Sequence, residues 1–346
     1  MFFVEEPIYD AVAEPGMACY EDGSVTVAVP HLCPGTGEAQ SLELQRRLLD
    51  ELMSGRNVTD YILWYYTPLA MPFTAHLQPA AVVYDCMDEL SAFKNAPPTL
   101  KAREAELLSR ADLVFTGGHS LYEAKKHAHA NVHAFPSSVD VQHFGQARQR
   151  HPDPADQEAV PRPRLGFFGV IDERMDLDLV AGVAAARPHW HLVMVGPVVK
   201  IDPTTLPTAP NIHYLGPKTY AELPRYIAGW DVALLPFARN EATRFISPTK
   251  TPEYMAAGRP VVSTSIQDVV RPYGQQGLVR IADTVDEFIA ACEAALEEDA
   301  VARTRAADAF LRQTSWDGTW MQMRGLVQML LARDAADPAR TVANAR

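Results

Sequence analysis

Short apolar runs alternating with amphipathic stretches constrain the fold of this chain more than any other feature. Runs such as Leu165-Gly166-Phe167-Phe168 and Val232-Ala233-Leu234-Leu235 have the length of buried strands, and the stretches between them carry helical spacing. That alternation is the pattern of βα units on parallel strands. In a first series the spacing predicts strands over 2–5, 25–29, 61–66, 81–85, 112–116 and 132–135, with helices near 38–55, 97–110 and 119–129. A second series predicts strands over 165–168, 191–195, 212–215, 232–236, 260–264 and 278–281, with helices near 176–187, 219–229, 250–257 and 284–313. Between them His151-Pro152-Asp153-Pro154 lies in a polar stretch without apolar period, which reads as a linker. The expectation is therefore an α/β chain of two Rossmann-like domains. The first is 1–150, the linker 151–163 and the second 164–314, with a helix and tail at 315–346 packing back across the pair. At roughly 100–200 residues per domain, 346 residues suit two.

Charge and cysteine usage exclude several function classes. A net charge of −12 lacks the basic stripe of a nucleic-acid binder. Residues 1–150 hold 11 Lys and Arg against 19 Asp and Glu, so the first half has no general attraction for anionic lipid, and any membrane association is local and peripheral. Cys19, Cys33, Cys86 and Cys292 form no C-x-x-C pair or metal-ligand spacing, which fits a reduced cytoplasm. The start, Met1-Phe2-Phe3-Val4-Glu5-Glu6, is no export signal, and no apolar run of membrane-spanning length occurs.

The local signal richest in chemistry is Ser247-Pro248-Thr249-Lys250-Thr251-Pro252-Glu253-Tyr254-Met255-Ala256-Ala257-Gly258-Arg259-Pro260-Val261-Val262. It reads as a loop, a short helix opening near Thr249, a glycine stop and an apolar strand. A helix opening at the C-terminal edge of a parallel sheet turns free N–H groups into the crevice and suits a diphosphate. Lys250 adds a full positive charge, and Glu253, one turn on, is placed to accept hydrogen bonds from ribose hydroxyls. Helix punctuation with a solvated lysine accounts for the same residues without function.

This run resembles the donor-binding segment of GT-B glycosyltransferases of the retaining family 4, or group 1, type. Pro136-Ser137-Ser138-Val139-Asp140, Leu165-Gly166-Phe167-Phe168-Gly169, Val83-Tyr84-Asp85-Cys86-Met87-Asp88-Glu89 and Ser315-Trp316-Asp317 add to the likeness, the last two pointing to a bacterial polysaccharide-assembly subgroup. The resemblance implies two Rossmann-like domains facing across a cleft and transfer of a sugar from a nucleoside-diphosphate sugar to a glycan or lipid-linked acceptor, with retention. It implies no resident cofactor, the sugar nucleotide being a co-substrate. Glu253 matches the family's ribose-binding glutamate. The earlier glutamate of its E-x7-E pair falls at Phe245, and the K-G element after the glycine turn is absent. Arg174, Lys250, Thr249 and Gly169 are then the diphosphate group. Set against the family, the segment at Met1 corresponds to a second strand, so a first domain that is either truncated or reduced is the expectation.

Strand-to-helix turns supply the remaining candidates. Asp85, Asp88 and Glu89, where the fourth predicted strand gives way to a loop, are placed to orient or deprotonate an acceptor hydroxyl or to hydrogen-bond the transferred sugar, and helix capping is their plainer role. His119, in Thr116-Gly117-Gly118-His119-Ser120, is placed to hydrogen-bond a sugar or phosphate; a structural histidine is the alternative, as it is for His76. Arg174 has an alternative partner in Glu173 or Asp176. Asp176-Leu177-Asp178 matches D-x-D, yet as a helix opening its acids favour the dipole without an ion, so no catalytic metal is expected. A nucleotide-sugar 2-epimerase and a non-catalytic sugar-nucleotide or assembly protein are the rival functions, since fold alone separates none of the three.

Overall fold

The computed structural model describes residues 1–336, which fall into two units. The first comprises Met1–Asp85, Thr99–Leu113 and the end of the C-terminal helix from Met329; the second comprises Cys86–Pro98 and Val114–Gln328.

In the first unit the central strand is β4 (Val25–Leu32). Along one side of it lie β1 (Phe2–Val4) and β2 (Ile8–Tyr9), both parallel, with Phe3 opposite Val27 and Tyr9 opposite Leu32. Pro7, which has no N–H for a ladder, falls in the gap between them. On the other side β3 (Gly16–Asp22) runs antiparallel, Ala18 opposite Val29. Sequence reading missed β2 and β3 and expected only parallel strands here. The signal for the hairpin was Asp22-Gly23, with Gly23 at φ +60 in the turn. The helix Glu38–Gly55 buries Ser41, Gln45, Leu48 and Leu49, one stripe at helical spacing, and Ser41 Oγ meets the Tyr9 hydroxyl at 2.8 Å. Strands β5 (Ile62–Tyr65) and β6 (Ala81–Cys86) pair in parallel, Leu63 opposite Val82.

The second unit contains the parallel pair β7 (Leu113–Thr116) and β8 (Val132–Ala134) and a six-stranded sheet. That sheet consists of β9 (Arg164–Phe168), β10 (His191–Val195), β11 (Ile212–Gly216), β12 (Val232–Leu235), β13 (Val261–Ser263) and β14 (Arg280–Ile281). All its pairs are parallel, in the order β11-β10-β9-β12-β13-β14. Counted from β9 this is 3-2-1-4-5-6, the doubly wound order whose direction reverses between β9 and β12. Alternate residues feed two cores: Phe168, Val193, Val195, Ala233 and Leu235 on one face, Leu165, Phe167, Met194, Val232 and Leu234 on the other. Burial on both faces explains the continuous apolar runs. At Gly166 a Cβ would lie 1.9 Å from the Trp230 ring, so the indole packs directly on the strand backbone.

The segment read as a linker is pinned down. Its Ala155–Glu158 turn buries Gln157, whose Oε1 accepts from Trp230 Nε1 at 2.9 Å, and Asp153 pairs with the buried Arg164 at 2.8 Å. The single helix expected over 284–313 is two, Val285–Leu296 and Ala300–Leu311, because the Asp299 side chain caps the second by accepting from Val301 and Ala302. A helix covers Trp316–Ala336; the tail expected beyond it lies outside the described residues.

Candidate active site

Loops leaving the C-terminal ends of β9 and β12 flank the reversal point, where doubly wound sheets bind ligands. They are stitched together: Asp176 N donates to Pro236 O at 2.8 Å and Ala238 N to Arg174 O at 2.8 Å. Directly after β9, Gly169 holds φ +140, and a Cβ there would stand 2.2 Å from Lys250 Cε. The lysine side chain therefore lies across the glycine. A Cβ on Gly196, at φ +145, would stand 1.8 Å from Gly169 O, so both turns require glycine.

Lys250 opens the helix Lys250–Ala256, whose N-terminal end, at Thr249, has no side-chain cap. Its ammonium lies 5.7 Å from the Phe168 ring centroid, and no carboxylate among the described residues pairs with it. Burial lowers its pKa, with Glu253 opposing and Arg174 reinforcing the shift. One turn on, Glu253 Oε2 is buried without a hydrogen-bond partner, and burial pushes this carboxyl up to about 7 against the pull of Lys250. The next residue anchors the helix: the buried Tyr254 hydroxyl accepts from Phe168 N at 2.9 Å. Buried ionisable groups with shifted pKa values, one of them with an unpartnered oxygen, mark this helix end as a candidate ligand site.

Arg174 is engaged differently. Its Nε and Nη2 grip Asp172, Nη2 at 2.7 Å from Oδ2, and Asp172 is 3% exposed. The partner is thus neither Glu173 nor Asp176, the acids the sequence suggested. Nη1 is left for another acceptor, and the guanidinium lies 5.8 Å from the Phe93 ring. Asp88 belongs to the same cluster: burial raises its pKa and Arg174 opposes the shift. Asp176 caps the helix Leu177–Ala186 by accepting from Leu179 N at 2.9 Å.

His119 follows a turn that only glycine permits, since a Cβ on Gly117 would lie 2.4 Å from Met87 O and one on Gly118 2.0 Å from Asp268 Oδ2. Asp268, 5% exposed, accepts from Ser120 N at 2.9 Å, a long-range cap that sequence reading had no means of finding. Asp85, in the first unit, is 5% exposed; burial raises its pKa to about 6, opposed by the hydrogen bond from Trp64 Nε1 at 3.2 Å. His76 is structural, paired with Asp50 at 2.6 Å. Phe245, where the resemblance would put a glutamate, carries the Arg244 guanidinium 5.1 Å from its ring centroid. Sequence reading also missed Tyr220, exposed and stacked on His143 at 4.1 Å, whose pKa is raised by burial and by Glu253.

Comparison with known proteins fits this geometry. Residues 162–298 match the family described as glycosyl transferases group 1. The Bacillus subtilis (strain 168) protein TuaH, named as a teichuronic acid biosynthesis glycosyltransferase, is 28% identical over 275 residues, 73% of this chain and 68% of its own. Sucrose-phosphate synthase from Thermosynechococcus elongatus superposes with a TM-score of 0.71 at 14% identity, over 96% of this chain and 89% of that one. Anabaena Alr3699/HepE in complex with UDP gives 0.66 at 14% identity, over 88% and 86%. An Escherichia coli trehalose-6-phosphate protein bound with UDP-2-fluoro glucose gives 0.68 at 13% identity, over 95% and 92%.

Proposed function

We propose that this chain is a glycosyltransferase of the group 1 type, the family that residues 162–298 match, and that it moves a sugar from a nucleoside-diphosphate sugar to a glycan or lipid-linked acceptor in polysaccharide biosynthesis, with retention of configuration. The teichuronic acid relative supports the acceptor class, and the UDP-bound neighbours support UDP as the donor's nucleotide. The observation that carries the donor site is the buried, unpartnered Glu253 Oε2 one helical turn from an unpaired Lys250. In this reading 164–314 holds the donor and 1–150 receives the acceptor.

Glu253 accepts from the ribose hydroxyls, which satisfies the orphaned oxygen. Lys250, Gly169 and the uncapped helix end at Thr249 receive the diphosphate. As the glycosyl bond breaks, negative charge grows on the departing phosphate. Lys250, in a poorly solvated position, and Nη1 of Arg174 stabilise it more strongly there than in water. Those cations offset the charge that a metal ion offsets elsewhere, and the reaction needs no resident cofactor in this reading. Asp85 and Asp88 orient the acceptor hydroxyl and take its proton, for which a carboxyl titrating at about 6 is suited. His119 hydrogen-bonds the transferred sugar. The cysteines form no disulfide among the described residues, which supports a reducing, cytoplasmic setting in this reading, and among the described residues no helix is long and apolar enough to cross a membrane.

The test is incubation with a panel of UDP-sugars, with and without glycan and lipid-linked acceptors, followed by mass spectrometry and chromatography of donor and products. Acceptor-dependent UDP release is expected. Conversion of the donor to its epimer without acceptor would replace transfer by epimerisation, and binding without turnover under every condition would leave a non-catalytic protein.

A further inference from the structure

Tyr220 has no part in the transfer chemistry, yet the fold holds its side chain in a defined place. It opens the short helical turn Tyr220–Glu222 after β11, and it is 53% exposed. A single exposed aromatic needs no explanation. This one is fixed from two directions: its ring stacks on His143, with centroids 4.1 Å and planes 10° apart, and Phe144 stands perpendicular to it at 5.5 Å. His143 is fixed in turn. Its backbone N–H donates to the Asp140 carboxylate at 2.8 Å, and its Nε2 donates to Tyr220 O at 2.9 Å, since a carbonyl oxygen only accepts. Among the described residues no other ring packs on Tyr220, so the face turned away from His143 is open to a planar ligand.

The surroundings of the ring connect it to the donor site. The buried Phe144 stacks on Phe168 at 6.1 Å, and the Lys250 ammonium lies 5.7 Å from the Phe168 ring centroid. The short helix Val141–Gly145, which carries His143 and Phe144, packs against Lys250–Ala256. Burial, Glu253 and Asp140 together raise the pKa of the Tyr220 hydroxyl, which puts the phenol within electrostatic reach of the Glu253 carboxylate. Lys250, Glu253 and Tyr220 thus line one wall, with the phenol ring beyond Phe168 and Phe144 as seen from the ammonium. A nucleoside diphosphate has its chemistry in that order: two phosphates, a ribose with neighbouring hydroxyls, then a flat base.

We propose that the open face of Tyr220 is the platform on which the nucleobase of the donor stacks, with His143 backing the ring. This deepens, and rests on, the reading in which Lys250 receives the diphosphate and Glu253 the ribose. A ring already held on its other face loses little side-chain freedom when a ligand arrives, so little of the stacking energy goes into ordering it. Every base has a π-face, so the platform favours a nucleotide over a sugar phosphate more than it separates one base from another.

Titration calorimetry with UDP, on the wild type, Tyr220→Phe, Tyr220→Ala and Glu253→Ala, tests the stack. Tyr220→Phe keeps the ring and is expected to bind within about twofold of wild type, whereas Tyr220→Ala is expected to bind about tenfold more weakly. The carbonyl that accepts from His143 survives both substitutions. In difference spectra, the fall in base absorbance that accompanies stacking is expected with the wild type and Tyr220→Phe and absent with Tyr220→Ala. Wild-type affinity in Tyr220→Ala, alongside a loss in Glu253→Ala, overturns the stack and leaves the donor site standing. Equal weakening in Tyr220→Phe and Tyr220→Ala also overturns it, because the hydroxyl would then be the contact. Failure of the wild type to bind any of UDP, ADP, GDP and dTDP overturns the donor reading itself, and the stack with it.

Discussion

The two loops that crown the six-stranded sheet treat charge in opposite ways. After β9, Arg174 and the buried Asp172 neutralise one another through a forked ion pair. Before and within the Lys250–Ala256 helix, Lys250 and Glu253 stand a turn apart, each desolvated and neither paired. The first arrangement keeps a loop in place without a ligand. The second keeps its hydrogen-bonding capacity open, at a cost in stability to the unliganded protein.

Substitutions on the two sides of this contrast should therefore differ in sign. Arg174→Ala strands the buried Asp172 carboxylate, and a loss of about 3–5 kcal/mol in denaturant unfolding is expected. A loss under about 1 kcal/mol would mean the pair holds nothing in place. Glu253→Gln should do the reverse. Its carboxyl titrates at about 7 when folded, above the ordinary 4.5. Burial therefore favours the protonated form, and the contribution is fully present below about pH 4.5 and lost as pH rises through 7. Above that range Glu253→Gln should be more stable than wild type by about 2–3 kcal/mol while binding donor less well, and near pH 4 the two should match. Equal stabilities at every pH would mean Glu253 bears no burial cost.

Asp85 sharpens the comparison from the first unit. Folding raises its pKa from 3.8 to about 6, so its contribution, complete below the ordinary value, is lost as pH passes 6. Asp85→Asn, which can still accept from Trp64, should gain about 2 kcal/mol of stability at alkaline pH and lose transfer activity. Stabilisation with full activity would remove Asp85 from the reaction. The smallest effect expected is that of Tyr254→Phe, which leaves the Phe168 N–H unpaired beneath the site, about 1–2 kcal/mol by thermal unfolding.

Most of the architecture was legible because parallel strands buried on both faces must be short and continuously apolar; the four central strands β9, β10, β12 and β13 carry that mark, and the partly buried edge strands β11 and β14 follow it less strictly. The hairpin of β3 was not, since its residues are largely exposed and carry no core-facing run. The helix read over 284–313 broke at Asp299, where a cap outweighed an apolar period that continued through it. Within the site, Lys250, Glu253 and Gly169 were readable from one segment and one turn. What the sequence could not disclose was which side chains pair, whether two residues apart or far along the chain. Asp172 as the partner of Arg174, Asp268 at Ser120, and Tyr220 near Glu253 are set by packing rather than by spacing.

Isothermal titration of UDP into the wild type, Glu253→Ala and Lys250→Ala proteins tests the central claim most directly. The wild type is expected to bind and each variant to lose about tenfold or more in affinity, since each substitution removes a charged hydrogen-bonding group. Wild-type affinity retained in both variants would contradict it, and the unpaired carboxylate and ammonium above the sheet would have to serve something other than a nucleotide.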